Sequence, residues 1–216
     1  MRRYDAVIFD LDGTLLDTSE GIFRSVSYAI EKLGFEKLKP EVLRTFIGPP
    51  IQRSFARVYG LGKQEADEAA DVFRNRYKEE DLLFAKPYEG IFETLNALRN
   101  AGIKTAVATY KRQDYAEKIL IHFGFDKACD AICGSDLEGK LSKRDIIENA
   151  INCLGAGKRG VVMIGDSDND AVGASEIGVD FIGVTYGFGF SRAEDVNEFP
   201  CIGSADSPDG ILRYIL

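Results

Sequence analysis

The sequence lacks tryptophan altogether and contains a single histidine and four cysteines among its 216 residues. The cysteines form no Cys-x-x-Cys pair, and His122 stands near none of them in the spacing of zinc ligands. The sequence therefore gives no indication of a structural zinc site. We expect the thiols to stay reduced and to serve as small apolar residues; they belong to Cys129, Cys133, Cys153 and Cys201.

Positive charge and long hydrophobic runs are also scarce. The 27 Lys and Arg residues are outnumbered by 35 Asp and Glu residues, which gives a formal net charge of −8. A net negative surface disfavours nucleic acid and anionic membranes as partners. The sequence contains no apolar run of membrane-spanning length and no segment of signal-peptide type. We therefore expect a cytoplasmic protein.

The most informative segment is the hexapeptide 10–15, Asp-Leu-Asp-Gly-Thr-Leu, which follows an apolar run typical of a buried strand. Asp10 and Asp12 thus stand where this strand ends, and Gly13 lets the backbone turn sharply and approach a ligand. Two carboxylates this close raise each other's pKa unless a cation or hydrogen bonds keep them ionised. The segment therefore predicts a metal site, or a carboxyl group kept protonated as an acid, and both fit phosphoryl transfer.

Helical and strand-like segments alternate from Gly90 onward. This alternation predicts an α/β fold, a Rossmann-like doubly wound parallel sheet with helices on both faces. Residues 17–86 break the alternation, because helical patterns follow one another there with no strand between them. We predict an all-helical cap domain at 17–86, inserted into an α/β core domain formed by 1–16 and 87–216. The alternative is that these helices pack on a face of the sheet.

Polar side chains stand at the ends of three predicted strands, which is where ligands bind in open α/β sheets. Asp10 and Asp12 follow the first strand, and Thr109 is predicted to end a second one. Asp166 and Asp170 follow a third apolar run. Any one of these could be a solvated loop, but three strand ends of this kind together indicate a shared site.

The acidic cluster of Asp166, Asp168 and Asp170 resembles the start of an EF-hand calcium loop. That loop needs Gly at its sixth position and Glu at its twelfth, and this chain has Ala171 and Ile177 there. An acidic cluster that follows a buried strand and faces another acidic strand end suits magnesium better. Magnesium takes one or two carboxylates, a substrate phosphate and waters. We therefore predict a Mg²⁺ site.

A candidate phosphate ligand stands at a predicted helix N-terminus. Ser142, with Asp145 three residues further on, is typical of an N-cap. Lys143 would then lie in the first turn, where the helix dipole disfavours a cation, and a bound anion would remove that penalty. Lys140 is the alternative phosphate ligand. Lys111 is a weaker candidate that a solvated position would also explain.

Together these residues resemble the motif set of the haloacid dehalogenase (HAD) superfamily, in the family's order and across the whole chain. The motifs are Asp10-x-Asp12-Gly13-Thr14, then Thr109, then Lys143, then Gly165-Asp166-x-x-x-Asp170. The helical insert between the first two motifs resembles the cap of the first HAD subfamily. Segments 46–50 and 183–187 are similar to phosphoglycolate phosphatase-like and nucleotidase-like members.

The resemblance implies a Mg²⁺-dependent phosphatase that hydrolyses a small phosphomonoester through a covalent aspartyl-phosphate. It implies that Asp10 is the nucleophile, and that Asp12 protonates the leaving oxygen and later deprotonates the attacking water. Thr109 and Lys143 would hold the phosphate and offset charge in the transition state. The implied metal ligands are Asp10, Asp12 through its backbone carbonyl, Asp166 and, directly or through the outer shell, Asp170.

The remaining predicted ligands concern phosphate and substrate. Gly13, Thr14 and Tyr110, which belong to or adjoin the motifs, are added to the predicted phosphate-binding residues. Arg53, close to the stiff turn 48–50 of the predicted cap, is a candidate substrate ligand, and a solvated helix position would also explain it. Phosphoglycolate, a nucleoside monophosphate and a sugar phosphate are all admissible substrates. We expect a monomer or homodimer that binds such a small phosphorylated metabolite.

Other functions stay open at this point. Dehalogenases of the family lack the second acidic residue, so Asp12 favours phosphoryl chemistry. A β-phosphoglucomutase-like mutase would carry a cap histidine where this chain has Ile22. A receiver domain would lack the helical insert, and the intact motif set argues against a non-catalytic regulator that binds a phospho-ligand. A phosphonatase would use a cap lysine as a Schiff base, for which the candidates are Lys32, Lys37 and Lys39.

Overall fold

The computed structural model describes residues 4–216 and divides into two compact units. One unit comprises residues 4–17 together with Pro87–Leu216, and the other is Thr18–Lys86. Residues 1–3, which the prediction assigned to the core domain, lie outside the described residues. The role of the second unit as a cap stays a prediction.

The strands and helices alternate along most of the first unit. In chain order the strands are β1 (Ala6–Phe9), β2 (Leu16–Asp17), β3 (Lys86–Pro87), β4 (Lys104–Arg112), β5 (Ala131–Ser135), β6 (Val161–Gly165), β7 (Asp180–Val184) and β8 (Gly203–Ala205). The α-helices are α1 (Ser19–Leu33), α2 (Pro40–Arg44), α3 (Ile51–Tyr59), α4 (Lys63–Arg76), α5 (Ile91–Asn100), α6 (Gln113–His122), α7 (Lys143–Leu154), α8 (Asp168–Ile177), α9 (Ala193–Val196) and α10 (Leu212–Ile215).

Six strands form one parallel sheet in the order β5-β4-β1-β6-β7-β8, which confirms the predicted α/β fold class. All four residues of β1 are fully buried, because the central strand of a parallel sheet is covered by helices on both faces. This burial explains the continuous apolar run before Asp10. Since β1 pairs with β4 on one side and β6 on the other, the carboxyl ends of these three strands are neighbours.

Strand β4 differs from the prediction at its end. It was expected to stop at Thr109, but it continues to Arg112, and its register with β5 shifts between Ala108 and Arg112. Such a bulge bends the strand and re-aims its side chains. The side chains between Ala108 and Arg112 therefore belong to a strand but point in directions that regular pairing would not give them. Strand β4 itself contains no Gly or Pro that would have indicated the bulge.

Helix α7 begins and ends as its sequence predicts. The Ser142 side chain accepts a hydrogen bond from the Asp145 amide, and the Asp145 carboxylate accepts one from the Ser142 amide. At the other end Gly155 adopts a left-handed conformation, with φ of 61°, that favours glycine. One face of the helix packs in the core and holds it on the sheet; its buried apolar residues are Ile146, Ile147, Ala150, Ile151 and Leu154.

The second unit is built from α1 to α4 followed by a π-helical turn at Tyr77–Asp81. Its interior contains an ionic group: the buried Asp81 carboxylate accepts hydrogen bonds from the Ser25 hydroxyl and the Arg76 guanidinium, each at 2.9 Å. Phe46 and Phe55 pack edge to face in the apolar part. Within residues 4–216 no helix is both long enough and apolar enough to cross a membrane.

Candidate active site

The three adjacent strand ends bring the predicted site residues of the first unit together. Asp10 and Asp12 follow β1, Thr109 lies in the bulge of β4, and Asp166 follows β6. Lys143 is the first residue of α7. All five are buried, so their charges and dipoles act on one another in a medium that screens them less than water does.

Three carboxylates form a cluster able to hold a metal ion. One oxygen from each of Asp10, Asp166 and Asp170 lies within 4.8 Å of the others. The side chain of Asp12 is not a member of this cluster, and the use of its backbone carbonyl as a metal ligand stays a prediction. Asp168, grouped with its neighbours in the sequence, is exposed at the start of α8.

The Lys143 ammonium group bridges two of these carboxylates. Its Nζ lies 2.6 Å from Asp10 Oδ1 and 2.7 Å from Asp170 Oδ1. Burial by itself lowers the pKa of Lys143, but the two carboxylates outweigh burial and hold the pKa above its usual value. The unfavourable position of this cation at a helix N-terminus is thus compensated by carboxylates of the protein itself. Lys140 is exposed and pairs with Glu138, so it lies outside the cluster.

Burial and mutual repulsion alter the acidity of the cluster. Burial, together with the charges of Asp170 and other carboxylates, raises the pKa of Asp10 to about 8, although Lys143 opposes this shift. Burial and the Asp170 charge likewise raise the pKa of Asp166 to about 7. Without a metal ion, both groups therefore hold protons at a pH where an ordinary aspartate is ionised.

A loop after β7 supports Asp166. Asp166 Oδ2 accepts hydrogen bonds from the backbone amides of Phe188, at 2.7 Å, and Gly189, at 3.1 Å. The Tyr186 hydroxyl donates to the carbonyl of Thr14 at 3.0 Å, which ties the same loop to the segment after β1. The sequence prediction did not include these contacts, and the signal that could have indicated them is the glycine-rich run 183–189.

Gly13 is required by the closeness of two loops. Its φ is 87°, and a Cβ at this position would lie 2.2 Å from Asp166 Oδ2. The amides of Gly13 and Thr14 donate within the turn, to the carbonyls of Leu16 and Leu11. The contact of Gly13 and Thr14 with phosphate stays a prediction. The positive φ and the closeness of Asp166 by themselves explain why residue 13 is a glycine.

Asp12 has its own cation. Lys111 Nζ lies 2.9 Å from Asp12 Oδ1, and the two side chains are only 6% and 8% exposed. The sequence left a solvated Lys111 open, and the structure shows it buried. Its backbone amide also donates to Thr109 Oγ1 at 3.1 Å, within the bulge of β4.

Tyr110 and Arg53, the other two predicted substrate or phosphate ligands, lie in different units of the structure. The Tyr110 hydroxyl accepts a hydrogen bond from the Lys143 amide at 3.0 Å, so this side chain contacts the start of α7. Arg53 belongs to the helical unit, where it is exposed on α3. Its predicted contact with substrate stays a prediction.

The charge balance suits a divalent cation. Within the site four carboxylates, those of Asp10, Asp12, Asp166 and Asp170, face the two ammonium groups of Lys111 and Lys143. Counted over these described side chains alone, the carboxylates exceed the ammonium groups by two negative charges if every group is ionised. An all-oxygen donor set with this deficit fits Mg²⁺, whose charge would also keep the carboxylates ionised.

Comparisons with known proteins agree with this geometry. A family model described as haloacid dehalogenase-like hydrolase matches residues 7–184. A 5'-nucleotidase of Pseudomonas aeruginosa is 41% identical over 188 residues, covering 87% of this chain and 85% of that protein. A phosphoglycolate phosphatase of Agrobacterium fabrum is 33% identical over 187 residues, covering 84% and 80%.

The crystal structure of a predicted phosphatase from Clostridium acetobutylicum has the same fold, with a TM-score of 0.91 and 37% identity over 98% of each chain. The matched region contains every motif quoted above, from Asp10 to Asp170. The resemblance inferred from the motifs is thus confirmed, and the chain belongs to the haloacid dehalogenase-like hydrolase family.

Proposed function

We propose that this chain is a Mg²⁺-dependent phosphatase that hydrolyses a small phosphomonoester through a covalent phosphate ester on Asp10. The observation that carries the proposal is the buried cluster in which Lys143 joins Asp10 to Asp170 beside Asp166. Hydrolase chemistry belongs to the family, and relatives named 5'-nucleotidase and phosphoglycolate phosphatase support a small phosphorylated substrate.

The first half-reaction transfers the phosphoryl group to the protein. A carboxylate oxygen of Asp10 attacks phosphorus as the bond from phosphorus to the leaving oxygen breaks. Asp12 gives its proton to that oxygen, so the product leaves as an alcohol. Asp10 and Asp12 can act as nucleophile and acid because their surroundings differ. Asp10 belongs to the carboxylate cluster and contacts Lys143, whereas Asp12 contacts Lys111.

The second half-reaction regenerates Asp10. A water molecule attacks the phosphorus of the aspartyl-phosphate, and the Asp12 carboxylate takes its proton. The bond from phosphorus to the Asp10 oxygen breaks, which releases inorganic phosphate and leaves Asp10 as a carboxylate. Asp12 ends the cycle protonated, as it began.

The other residues bind and orient the phosphoryl group. We assign the Thr109 hydroxyl and the Lys143 ammonium group to the phosphoryl oxygens, where they offset the charge of the transition state. Tyr110 holds the amide of Lys143 and so positions it. Mg²⁺, held by Asp10, Asp166, the Asp12 backbone carbonyl and, directly or through the outer shell, Asp170, would polarise the phosphoryl oxygens as a Lewis acid.

The substrate class is supported more firmly than the substrate. Phosphoglycolate, a nucleoside monophosphate and a sugar phosphate all stay within the proposal. The first experiment is phosphate release from a panel of such esters, with and without Mg²⁺. The predicted cytoplasmic location and the monomeric or dimeric state stay predictions.

Replacing the nucleophile tests the covalent route. Asp10→Asn is expected to lower kcat at least about a thousandfold, because an amide cannot form the phosphate ester. The fold should persist, because Lys143 keeps its contact with Asp170 at 2.7 Å when Asp10 is replaced by an amide of the same shape. Phosphate release and thermal melting check both points. The matched control is the exposed Asp168→Asn, which should keep the rate of the unaltered enzyme; appreciable turnover by Asp10→Asn would exclude the route.

Removing the metal tests the cofactor. Chelator should stop phosphate release, and added Mg²⁺ should restore it, because the cluster carries excess negative charge. Ca²⁺ should restore it poorly, since its looser coordination holds the reacting groups less well in line. Circular dichroism in chelator serves as the folding control. Full activity in chelator would remove Mg²⁺ from the proposal.

The raised carboxyl pKa values give a pH dependence. The pKa of Asp10, about 8, and that of Asp166, about 7, exceed the ordinary value of 3.8, so the metal-free folded state binds protons more tightly than the unfolded state. Its stability should therefore fall as pH rises from about 4 to about 8. Because Mg²⁺ binds the ionised cluster, its stabilising effect should be larger at about pH 8.5 than at about pH 6. Melting curves with and without Mg²⁺ measure this, and equal shifts at both pH values would contradict it.

The role of Arg53 can be tested by its effect on KM. Arg53→Ala is expected to raise KM about tenfold for the preferred substrate with little change in kcat, because a charge-assisted contact made in both ground and transition states is lost. Arg57→Ala, on the same helix, removes the same charge and serves as the control. An unchanged KM for every accepted ester would show that Arg53 is a solvated surface residue that does not bind substrate.

A further inference from the structure

Two of the four cysteines have their sulfur atoms next to each other. The Cys133 thiol donates to the Cys153 sulfur at 4.0 Å, although 20 residues separate the two along the chain. Cys133 lies on β5, and Cys153 lies in the last turn of α7. All four cysteines are free thiols in this structure. The pair has no Cys-x-x-Cys spacing and is formed by the packing of α7 on β5.

The periodicity of α7 explains why Cys153 faces the sheet. Cys153 follows Ile146 by seven residues and Ala150 by three, and side chains at these spacings lie along one side of a helix. Ile146 and Ala150 belong to the apolar cluster that also contains Cys133. Cys153 itself is exposed, so it lies where the packed face of α7 meets solvent.

The two thiols differ in their access to solvent and in their acidity. Cys133 is buried, and burial together with the neighbouring Cys153 raises the pKa of its thiol to about 12. Because the thiolate is the form that reacts with oxidants, Cys133 should not react directly with an oxidant in solution. Cys153 is exposed and can meet one. An accessible thiol beside a second, resolving thiol is typical of cysteines that are oxidised reversibly.

The sulfur atoms need only a small movement to form a bond. A disulfide has a distance of about 2.05 Å between its sulfur atoms, so these two atoms must approach each other by about 2 Å. Cys133 is held in the core between β5 and α7. The exposed Cys153 side chain, at the end of its helix, is the one that can rotate toward its neighbour.

We propose that Cys133 and Cys153 form a reversible disulfide when the protein meets a small disulfide oxidant such as glutathione disulfide. The Cys153 thiolate attacks one sulfur of the oxidant, whose disulfide bond breaks, and the first glutathione leaves. Cys133 loses its proton to solvent and attacks the Cys153 sulfur, and the second glutathione leaves. Two protein thiols are thus oxidised, and glutathione disulfide is reduced to two thiols. This inference does not rest on the proposed phosphatase function.

We expect this disulfide to be conditional. Disulfides in reducing compartments are usually transient, and the sequence by itself predicts thiols that stay reduced when no oxidant is present. A disulfide that includes the exposed Cys153 is also open to attack by glutathione, which regenerates both thiols.

Peptide mapping of the unaltered protein tests the inference. The folded protein is treated with glutathione disulfide, quenched with acid, unfolded, alkylated with N-ethylmaleimide and cleaved with trypsin. Trypsin separates the two cysteines, because Lys140, Lys143 and Arg144 lie between them. The expected result is one linked pair of peptides, two hydrogen atoms lighter than the sum of its parts, with no N-ethylmaleimide on Cys133 or Cys153. Dithiothreitol should break the link and make both thiols available for alkylation again.

Cys129 provides the matched control. It is buried, burial raises its pKa to about 12, and it lies on the same tryptic peptide as Cys133, since trypsin cleaves after Lys127 and Lys140. Cys129→Ala should therefore keep the link. Cys133→Ala should abolish the link and leave glutathione attached to Cys153. Cys153→Ser, a change at an exposed position, should leave Cys133 fully alkylated, because the thiol that starts the reaction is missing.

Several outcomes would overturn the inference. One is glutathione that stays on Cys153 of the unaltered protein while Cys133 is still alkylated, because the two sulfur atoms then do not reach each other. Others are no reaction at Cys153, a link that survives in Cys133→Ala, and a disulfide that joins two chains through Cys153. If a variant fails to fold, mapping of the unaltered protein decides by itself. Phosphate release is not measured, so failure of the proposed function would leave this result unaffected.

Discussion

The contact of one ammonium group with two carboxylates is the interaction on which the rest of the site depends. Asp10, Asp166 and Asp170 bring their carboxylates together in a buried space, and burial and mutual repulsion raise the pKa values of Asp10 and Asp166. Lys143 neutralises part of this charge by binding Asp10 and Asp170 together. The remaining deficit is what makes the cluster suitable for a divalent cation.

The fold supplies this contact through ordinary local chemistry. A capping box starts α7 at Lys143, and Tyr110 holds the amide of that first residue. Capping satisfies backbone donors that a helix start leaves without partners, and each cap contributes about 1 kcal/mol. The lysine is therefore placed by the helix start, at a point where its amine reaches the end of the central strand.

Two carboxylates only two residues apart acquire different properties from their neighbours. Asp10 belongs to the cluster of three carboxylates, where burial is the main cause of its raised pKa. Asp12 is held by Lys111 and contributes its side chain outside that cluster. Such separate surroundings would let one site provide both the nucleophile and the acid of the proposed mechanism. A bulge in β4 and a glycine turn after β1 create this separation.

Local patterns in the sequence were enough to predict the fold class, the position of Asp10 and Asp12 at a strand end, and the start and stop of α7. These features depend on neighbouring residues, whose periodicity and capping chemistry can be read along the chain. The contacts of Lys143 with Asp10 and Asp170, the burial of Lys111 and the amides that hold Asp166 were decided only by the tertiary structure. Lys143 and Asp10 lie 133 residues apart, and contacts at that range depend on strand order and loop closure, which leave no periodic trace in the sequence.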